Sequence, residues 1–319
     1  MTGSLVMRRV LMAVTTAIAA SFVLFLLLDV GPDPLALLTN DSDLSAADAA
    51  RLAHQYGWDQ PFIVQWAHWL GNLLRGDLGI SLRSGRPAAQ MILERVPLTL
   101  AITLSALALS MALSVPIALV VARRAGSRID TVASTIVVAM AAVPGFLIAI
   151  LLQLGAVHLK SLTGTTLLHV SSAPRTNGIG DVLGHLVLPV VALGLLQTAG
   201  WVRYQRAALL ETIGSEFVTG ARAKGLRERS VLIQHVLRAS LAPIVTLVAL
   251  DLGTIVGGSV VIELVFALPG LGRLLIDSVE AHDVVVVLDI VMLQALAIVT
   301  ATTVSDLVVR WLDPRAARM

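Results

Sequence analysis

The sequence predicts an all-α polytopic membrane protein with six transmembrane helices, and three observations support this fold class. Of the 319 residues, 56% are hydrophobic and only 14% are charged, whereas soluble domains carry about 25% charged residues. The mean hydropathy of +0.86 is too high for a water-soluble domain of this size, because such a domain keeps a polar surface. The apolar residues also form long runs that polar loops separate, as in proteins that cross a bilayer repeatedly.

The first predicted span runs from Val10 to Val30 and follows the basic pair Arg8 and Arg9. A secretory signal peptide has a similar charged start, but its apolar core is usually about 7–15 residues long. This run is longer, and large residues occupy Leu24 to Leu28. We therefore predict an uncleaved first span that enters the membrane from the cytoplasm.

Residues 31–95 are predicted to form a long extracytoplasmic loop that contains interfacial helices. The loop carries three tryptophans and a histidine that favour amphipathic helices at the membrane surface: Trp58, Trp66, Trp69 and His68. An ordinary folded loop with aromatic anchors would contain the same residues.

The remaining apolar runs predict five further spans, at about residues 97–121, 129–157, 182–202, 244–266 and 284–309. Prolines at 116, 144 and 189 lie within these runs, where they could form static kinks or gating hinges. With both termini inside, fifteen of the 23 lysines and arginines fall on the cytoplasmic side. The excess of positive charge predicts this orientation.

The basic segment from Trp201 to Thr246 lies between two predicted spans and is more than a charged linker. Phe217, Val218 and Ala221 fall at i, i+1 and i+4, which we interpret as one face of a short helix. Gly225 then stands where a helix would end in a left-handed residue. A short apolar helix beside the membrane is suited to fill a groove in a partner protein.

The segment E-F-V-T-G-A-R-A-K-G-L at 216–226, followed by H-V-L-R at 235–238 and L-A-P at 241–243, resembles the cytoplasmic coupling loop of ABC-importer permeases. It is most similar to the dipeptide/oligopeptide/nickel branch. Thr219 and Arg238 replace the glutamate and proline of the general importer motif, and both departures are common in the peptide branch. Arg227 replaces a small helix-capping residue and is expected to weaken the start of the next helix.

Further motifs along the chain show the same resemblance. They are G-W-D-Q-P-F at 57–62, G-D-L-G-I-S at 76–81, E-L-V-F-A-L-P-G-L-G-R-L at 263–274, the acids Asp283 and Asp306, and D-P-R at 313–315. The ordered set covers nearly the whole chain, so the chain is identified as a member of the peptide-type family.

The resemblance implies a type I ABC-importer permease with an N-terminus and first helix at 1–30, an extracytoplasmic loop at 31–95, and a core permease domain at 96–319. The coupling loop is expected at about 203–241. The expected function is to form half of the pathway of an ATP-driven importer of dipeptides or oligopeptides in the bacterial cytoplasmic membrane. The implied partners are a second homologous permease, two ATP-binding subunits, an extracytoplasmic substrate-binding protein and the lipid bilayer, with no nucleic acid.

Two groups of contact residues follow from the resemblance. The residues expected to couple to the ATPase are Glu216, Phe217, Ala221, Arg222, Ala223, Lys224, Gly225 and Leu226. The residues expected to meet the binding protein are Pro269, Gly270 and Gly272.

The sequence offers no catalytic site, so the chain is expected to be a non-catalytic subunit. The G-x-x-x-x-G-K-[S/T], H-E-x-x-H and G-x-S-x-G motifs are absent, as is cysteine. The seven histidines are scattered along the sequence, which argues against a metal cluster. No cofactor is expected in this chain, and ATP and Mg²⁺ are expected on the partner subunits.

Ionisable residues within the predicted spans are candidates for the transport pathway, because burying a charge in lipid is costly. Asp251 and Asp289 could line the pathway, with Gln197 and Gln294 as neutral companions. Glu263 and Asp306 lie near span ends and favour a structural role. If these acids instead relayed ions, the chain would be an ATP-independent channel or an ion-coupled secondary transporter, and this alternative stays open here.

Overall fold

The structure is a computed structural model that describes residues 2–29, 51, 54, 60–165, 168–170, 179–253 and 255–312. Within these ranges all regular secondary structure is helical, and strand-like pairing is limited to one isolated bridge between Ile80 and Pro87. The predicted all-helical fold class is therefore confirmed. Trp58 and the D-P-R motif at 313–315 lie outside the described residues.

The helices have the following bounds: α1 (Thr2–Asp29), α2 (Phe62–Leu74), α3 (Ala88–Arg123), α4 (Arg128–Ala142), α5 (Gly145–Thr163), α6 (Ile179–Ile213), α7 (Glu216–Ala223), α8 (Ala242–Gly253), α9 (Ile255–Val265), α10 (Leu271–Glu280) and α11 (Val284–Leu312). Between α7 and α8 lies a π-helix at Val231–Leu237, with a single α-helical turn before it (Glu228–Ser230) and another after it (Arg238–Ser240).

Four helices in the described part of the chain are long and apolar enough to cross a membrane. They are Ala88–Arg123, Gly145–Thr163, Gly180–Ile213 and Val284–Val309. A fifth is present if Glu228–Ser240 and Ala242–Gly253, which meet at 45°, form one broken span. In α1 the apolar helical stretch is the shorter Val14–Val23. The chain is thus a multi-pass membrane protein, and the number of six spans stays a prediction.

The predicted third span, 129–157, is two helices in the structure. The residue before a proline avoids the helical region, and Val143 is accordingly extended, with ψ of 127°, so that α4 ends and α5 begins after Pro144. Ser127 begins α4 by accepting a hydrogen bond from the Asp130 amide at 3.3 Å. Pro144 therefore separates two helices, whereas Pro189 lies within α6.

The chain divides into two compact units, which are described separately. The first contains the residues up to Leu98 together with Pro269–Val299, and the second contains Thr99–Leu268 and the residues from Thr300 onward.

In the first unit, aromatic side chains join α1 to α2. The indole N–H of Trp66 donates to Oγ of Ser21 at 3.1 Å, and the rings of Phe22 and Trp66 meet edge to face at 5.5 Å. Phe25 contacts Trp69 at 5.8 Å between ring centroids. Trp66 and Trp69 were predicted as interfacial anchors, and the structure shows that both pack against the first helix.

The first unit also brings two of the sequence motifs into contact. The buried carboxylate of Asp283, just before α11, accepts hydrogen bonds from the Ser81 hydroxyl and, at 3.2 Å, from the Leu82 amide. The turn between Ile80 and Pro87 is thereby held to the start of the last helix. This contact gives the Ser81 and Asp283 motifs a structural role.

In the second unit, α6 is the central helix and packs against α4, α5, α8, α9 and the π-helix. Its approach to α3 is close at Gly194, where an added Cβ would lie 2.9 Å from a methyl carbon of Leu109. The Ser110 hydroxyl of α3 donates to the Gly194 carbonyl at 2.9 Å. A side chain at position 194 would therefore require the Leu109 side chain to move.

Candidate functional site

The predicted short helix is present as α7, and it follows α6 after a two-residue turn. Ser215 precedes it with an extended backbone, and its carbonyl accepts hydrogen bonds from the amides of Val218 and Thr219, each at 3.2 Å. The Ser215 hydroxyl donates to the Thr212 carbonyl at 2.6 Å and does not cap the helix. Glu216 in the first turn is favourable because helix N-termini attract negative charge.

Phe217, Val218 and Ala221 fall within one arc of α7 of about 100°, as the spacing predicted, but this face is only partly buried. Val218 and Ala221 are 0% and 8% exposed, whereas Phe217 is 44% exposed. Phe217 lies at the edge of this arc, about 40° from Ala221 and about 100° from Val218. Ala221, expected to contact the ATPase, packs inside this chain, and its part in the coupling stays a prediction.

The buried face of α7 belongs to a core shared with α3, α6 and the π-helix. Its buried members are Ala118, Ala122, Val202, Leu209, Val218, Ala221, Val231, Leu232 and Val236. This packing fixes the orientation of α7 on the second unit. It leaves exposed the other predicted coupling residues, which are Glu216, Phe217, Arg222, Ala223, Lys224, Gly225 and Leu226.

Gly225 ends the α7 region in the left-handed conformation, as predicted, with φ of +77°. Its amide donates to the Arg222 carbonyl at 2.9 Å, and the Lys224 amide donates to the Gly220 carbonyl at 3.2 Å. An added Cβ at Gly225 would meet nothing within 4 Å. The requirement for glycine is therefore conformational and not steric.

An ion pair that the sequence analysis missed closes the turn after α7. Arg222 donates to Glu228 through Nε at 3.2 Å and through a terminal nitrogen at 2.8 Å. The hydrogen bonds to Glu228 raise the pKa of Arg222. The side chains are 40% and 50% exposed, so the pair contributes little stability. Arg227 makes no side-chain cap, as predicted, and only one α-helical turn precedes the π-helix.

A second ion pair, also missed, joins α4 to α6. Arg206 donates to the two carboxylate oxygens of Asp130, each at 2.8 Å. These hydrogen bonds, and next the one from the Gly126 amide, lower the pKa of Asp130 to about 2. The carboxylate is therefore ionised at physiological pH, and it ties the turn before α4 to the later part of α6.

The candidate pathway residues of the second unit take part in hydrogen bonds between helices. Asp251 of α8 accepts a bond from the Trp201 indole at 2.9 Å. Oε1 of Gln197 in α6 lies 3.0 Å from the Ser110 hydroxyl oxygen, as an alternative acceptor to the Gly194 carbonyl. These contacts do not decide whether either residue also meets cargo, and their role in the pathway stays a prediction.

Glu263 has the structural role that its position favoured. Its carboxylate is fully buried, and it accepts hydrogen bonds from Thr99 at 2.7 Å and from Ser259 at 2.9 Å. Asp306, the other acid near a span end, is exposed.

In the first unit, Asp289 of α11 is fully buried, and Gln294 is half-buried. The Asp289 carboxylate faces the Trp69 indole, but neither oxygen has a hydrogen bond of ordinary geometry from a described residue. A buried carboxyl group without such a bond is energetically costly.

The residues expected to meet a binding protein are mostly inside the first unit. Gly270 and Gly272 are buried and Pro269 is half-buried, because this motif begins α10. The exposed residues of this region lie at the other end of the helix and include Asp277, Val279 and Glu280.

An all-helical chain with several membrane-length apolar helices is an integral membrane protein of the multi-pass class. The family model described as "Binding-protein-dependent transport system inner membrane component" matches residues 114–318. The model described as "Binding-prot-dependent transport system membrane comp, N-term" matches residues 2–103. The chain therefore belongs to the binding-protein-dependent inner membrane component family of ABC transporters.

Named relatives match almost end to end. The oligopeptide transport system permease protein AppB of Bacillus subtilis (strain 168) is 33% identical over 314 residues, which cover 97% of this chain and 98% of the relative. A putative peptide permease protein of Brucella suis, BRA0408/BS1330_II0405, is 33% identical and covers 97% of each chain. The dipeptide transport system permease protein DppB of Escherichia coli (strain K12) is 29% identical over 330 residues and 97% of each chain. Membership in the peptide-type permease family is thereby confirmed.

Proposed function

We propose that this chain is one of two homologous permease subunits of an ATP-driven importer of dipeptides or oligopeptides, and that α7 transmits motion from an ATP-binding subunit. The observation that carries this proposal is the division of α7 into two faces. Val218 and Ala221 anchor the helix in the chain's own core, and the side that contains Phe217 is exposed. The relatives named for peptide transport support the peptide cargo.

The proposed arrangement has six spans, both termini in the cytoplasm, and residues 31–95 outside the membrane. Two ATP-binding subunits lie on the cytoplasmic side with ATP and Mg²⁺, and a substrate-binding protein docks on the opposite side. The chain itself is non-catalytic, and transport requires no cofactor bound to this subunit. Because Gly270 and Gly272 are buried, we place the contact with the binding protein at the exposed end of α10, near Val279.

Substitutions at Gly220 test whether α7 is the contact with the ATP-binding subunit. It is exposed on α7, and an added Cβ would meet nothing within 4 Å, so larger residues fit without strain in this chain. Gly220→Ala is the control, because alanine favours a helix over glycine by about 1 kcal/mol. Gly220→Arg adds bulk and charge to the same exposed position. We expect the alanine variant to retain the ATP-binding subunits and peptide uptake, and the arginine variant to lose both.

The measurements are co-purification of the ATPase and ATP-dependent uptake in proteoliposomes of the assembled complex. Stoichiometric ATPase and full uptake in Gly220→Arg would remove α7 as the docking site. Solute transport by the purified chain alone, without a nucleotide-hydrolysing partner, would instead favour the channel or ion-coupled carrier.

A further inference from the structure

A cluster of two histidines and an aspartate lies at the beginning of α6. Asp181 and His185 are four residues apart and therefore share one face of the helix. His169 reaches them from the segment after α5, and its backbone amide donates to the Gly184 carbonyl at 2.9 Å. The histidines that looked scattered in the sequence are thus partly brought together by the fold.

The side chains of the cluster converge on a small region. The imidazole rings of His169 and His185 are stacked, with centroids 4.0 Å apart and planes within 2°. Oδ1 of Asp181 lies 3.3 Å from Nδ1 of His185 and 4.0 Å from Nε2 of His169. One potential ligand atom from each residue lies within 4.8 Å of the other two.

We propose that these three residues bind a divalent transition-metal ion of the zinc class. Two imidazoles and one carboxylate are a ligand set that Zn²⁺ uses in proteins, with a further position left for water. Two ligands of one ion, each about 2.1 Å from it, lie at most about 4.2 Å apart. The lone pair of an imidazole lies in the ring plane, so the stacked, parallel rings do not yet point to one centre. Binding requires one ring to rotate out of the stack, and His169, whose side chain is 36% exposed, is the ring with room to do so.

The surroundings of His185 favour a ligand role. Its side chain is 3% exposed, and Nδ1 lies 2.7 Å from the Asp181 carbonyl oxygen. When Nδ1 carries the proton and donates it to this carbonyl, Nε2 retains a lone pair for a metal, and such backbone bonds commonly orient metal-binding histidines. Ligation through Nε2 then requires the ring to turn towards Asp181, because Nδ1 is the nitrogen that lies 3.3 Å from Oδ1 of Asp181. His169 and Asp181 are 36% and 21% exposed, so an ion can reach the cluster from solvent.

A bound ion would tie the segment that follows α5 to the first turns of α6, and would stabilise the folded chain because the ligand atoms are assembled only there. The proposal does not depend on ATP-driven transport, since every residue involved belongs to this chain. Its test therefore uses the isolated full-length subunit and is separate from the test of α7.

The experiment measures binding of Zn²⁺ alone to the full chain in detergent, purified with a tag that contains no histidine and stripped with a chelator. We expect one Zn²⁺ per chain and a rise in melting temperature upon binding. His169→Gln and Asp181→Asn should each weaken binding at least about tenfold, because even loss of an outer-shell partner costs 10–100-fold. His158→Gln is the matched control, since His158 is exposed on α5 and lies outside the cluster.

His169→Gln is the decisive variant because His169 is the most exposed of the three and its loss leaves the buried His185 in place. The proposal is overturned if the wild type binds no stoichiometric Zn²⁺, as the sequence analysis expected. It is also overturned if His169→Gln and Asp181→Asn bind as tightly as the wild type, or if His158→Gln weakens binding equally.

Discussion

Replacing Val218 with alanine tests whether α7 is anchored by its own chain while Phe217 serves a partner. Val218 is fully buried in the core that α7 shares with α6 and the π-helix. The substitution removes two methyl groups, worth about 0.8 kcal/mol each, and leaves a cavity that adds to the cost. We therefore expect the packing of α7 to weaken by about 2 kcal/mol.

Hydrogen exchange of the α7 amides measures this change directly. A loss of about 2 kcal/mol corresponds to roughly 30-fold faster exchange if α7 opens locally. Phe217→Ala is the comparison, because Phe217 is 44% exposed and surface substitutions usually change stability by no more than about 0.5 kcal/mol. Exchange in Phe217→Ala should stay close to that of the wild type.

The two variants should differ in the opposite sense when the ATPase is present. Phe217→Ala should lose affinity for the ATP-binding subunit although α7 is intact. Val218→Ala keeps the exposed contacts, so any loss of affinity should arise mainly because α7 is less stable. Equal exchange rates in Val218→Ala and the wild type would refute the anchoring argument. Full retention of the ATPase by Phe217→Ala would refute the assignment of the exposed face.

Three further substitutions test other contacts. Gly225→Ala should destabilise the end of α7 by about 1 kcal/mol, because alanine disfavours the left-handed conformation. Faster hydrogen exchange of the neighbouring amides would show this loss, and an unchanged exchange rate would contradict the conformational role of Gly225. Asp130→Asn should lower the melting temperature clearly, because Arg206 loses an ionised partner 2.8 Å away; a melting temperature equal to that of the wild type would mean that the pair is not stabilising. Asp251→Asn should leave folding intact, because an amide oxygen can still accept the Trp201 hydrogen bond. The same variant should change peptide uptake if the Asp251 carboxylate contacts cargo. Unaltered uptake of several peptides would remove Asp251 from the pathway.

The features that the sequence predicted well depend on local signals. Long apolar runs produced the membrane-length helices because a bilayer requires continuous apolar surface. Gly225 marked the end of a helix because glycine adopts positive φ without a steric penalty. Pro144 marked an interruption of the predicted third span for an equally local reason, although the sequence left open only a static kink or a gating hinge, and the structure has two helices.

The features that the sequence did not predict depend on residues far apart in the chain. The spacing placed Val218 and Ala221 on an apolar face, but it did not show that the π-helix and α6 of the same chain would cover that face and leave Phe217 exposed. Asp130 and Arg206 are 76 positions apart, so the pairing of their charges appears only when α4 packs on α6. The burial of Gly270 likewise follows from packing of α10, whereas the motif alone resembled an exposed loop.

The single helix α6 connects the two proposed sites. Its 35 residues span about 52 Å at 1.5 Å per residue, whereas the hydrocarbon core of a bilayer is about 30 Å thick. The cluster with His185 is near one end, and α7 follows the other end after two residues. Under the proposed function, a displacement of α7 would act on one end of a helix longer than the membrane is thick, and an ion bound at the other end of α6 would oppose that motion. Pro189 lies between the two ends, one turn beyond His185, and a proline deprives the helix of one backbone hydrogen bond. If α6 bends at Pro189, binding of Zn²⁺ at the proposed cluster should leave the rate of transport unchanged. If α6 stays straight, binding of Zn²⁺ should change that rate.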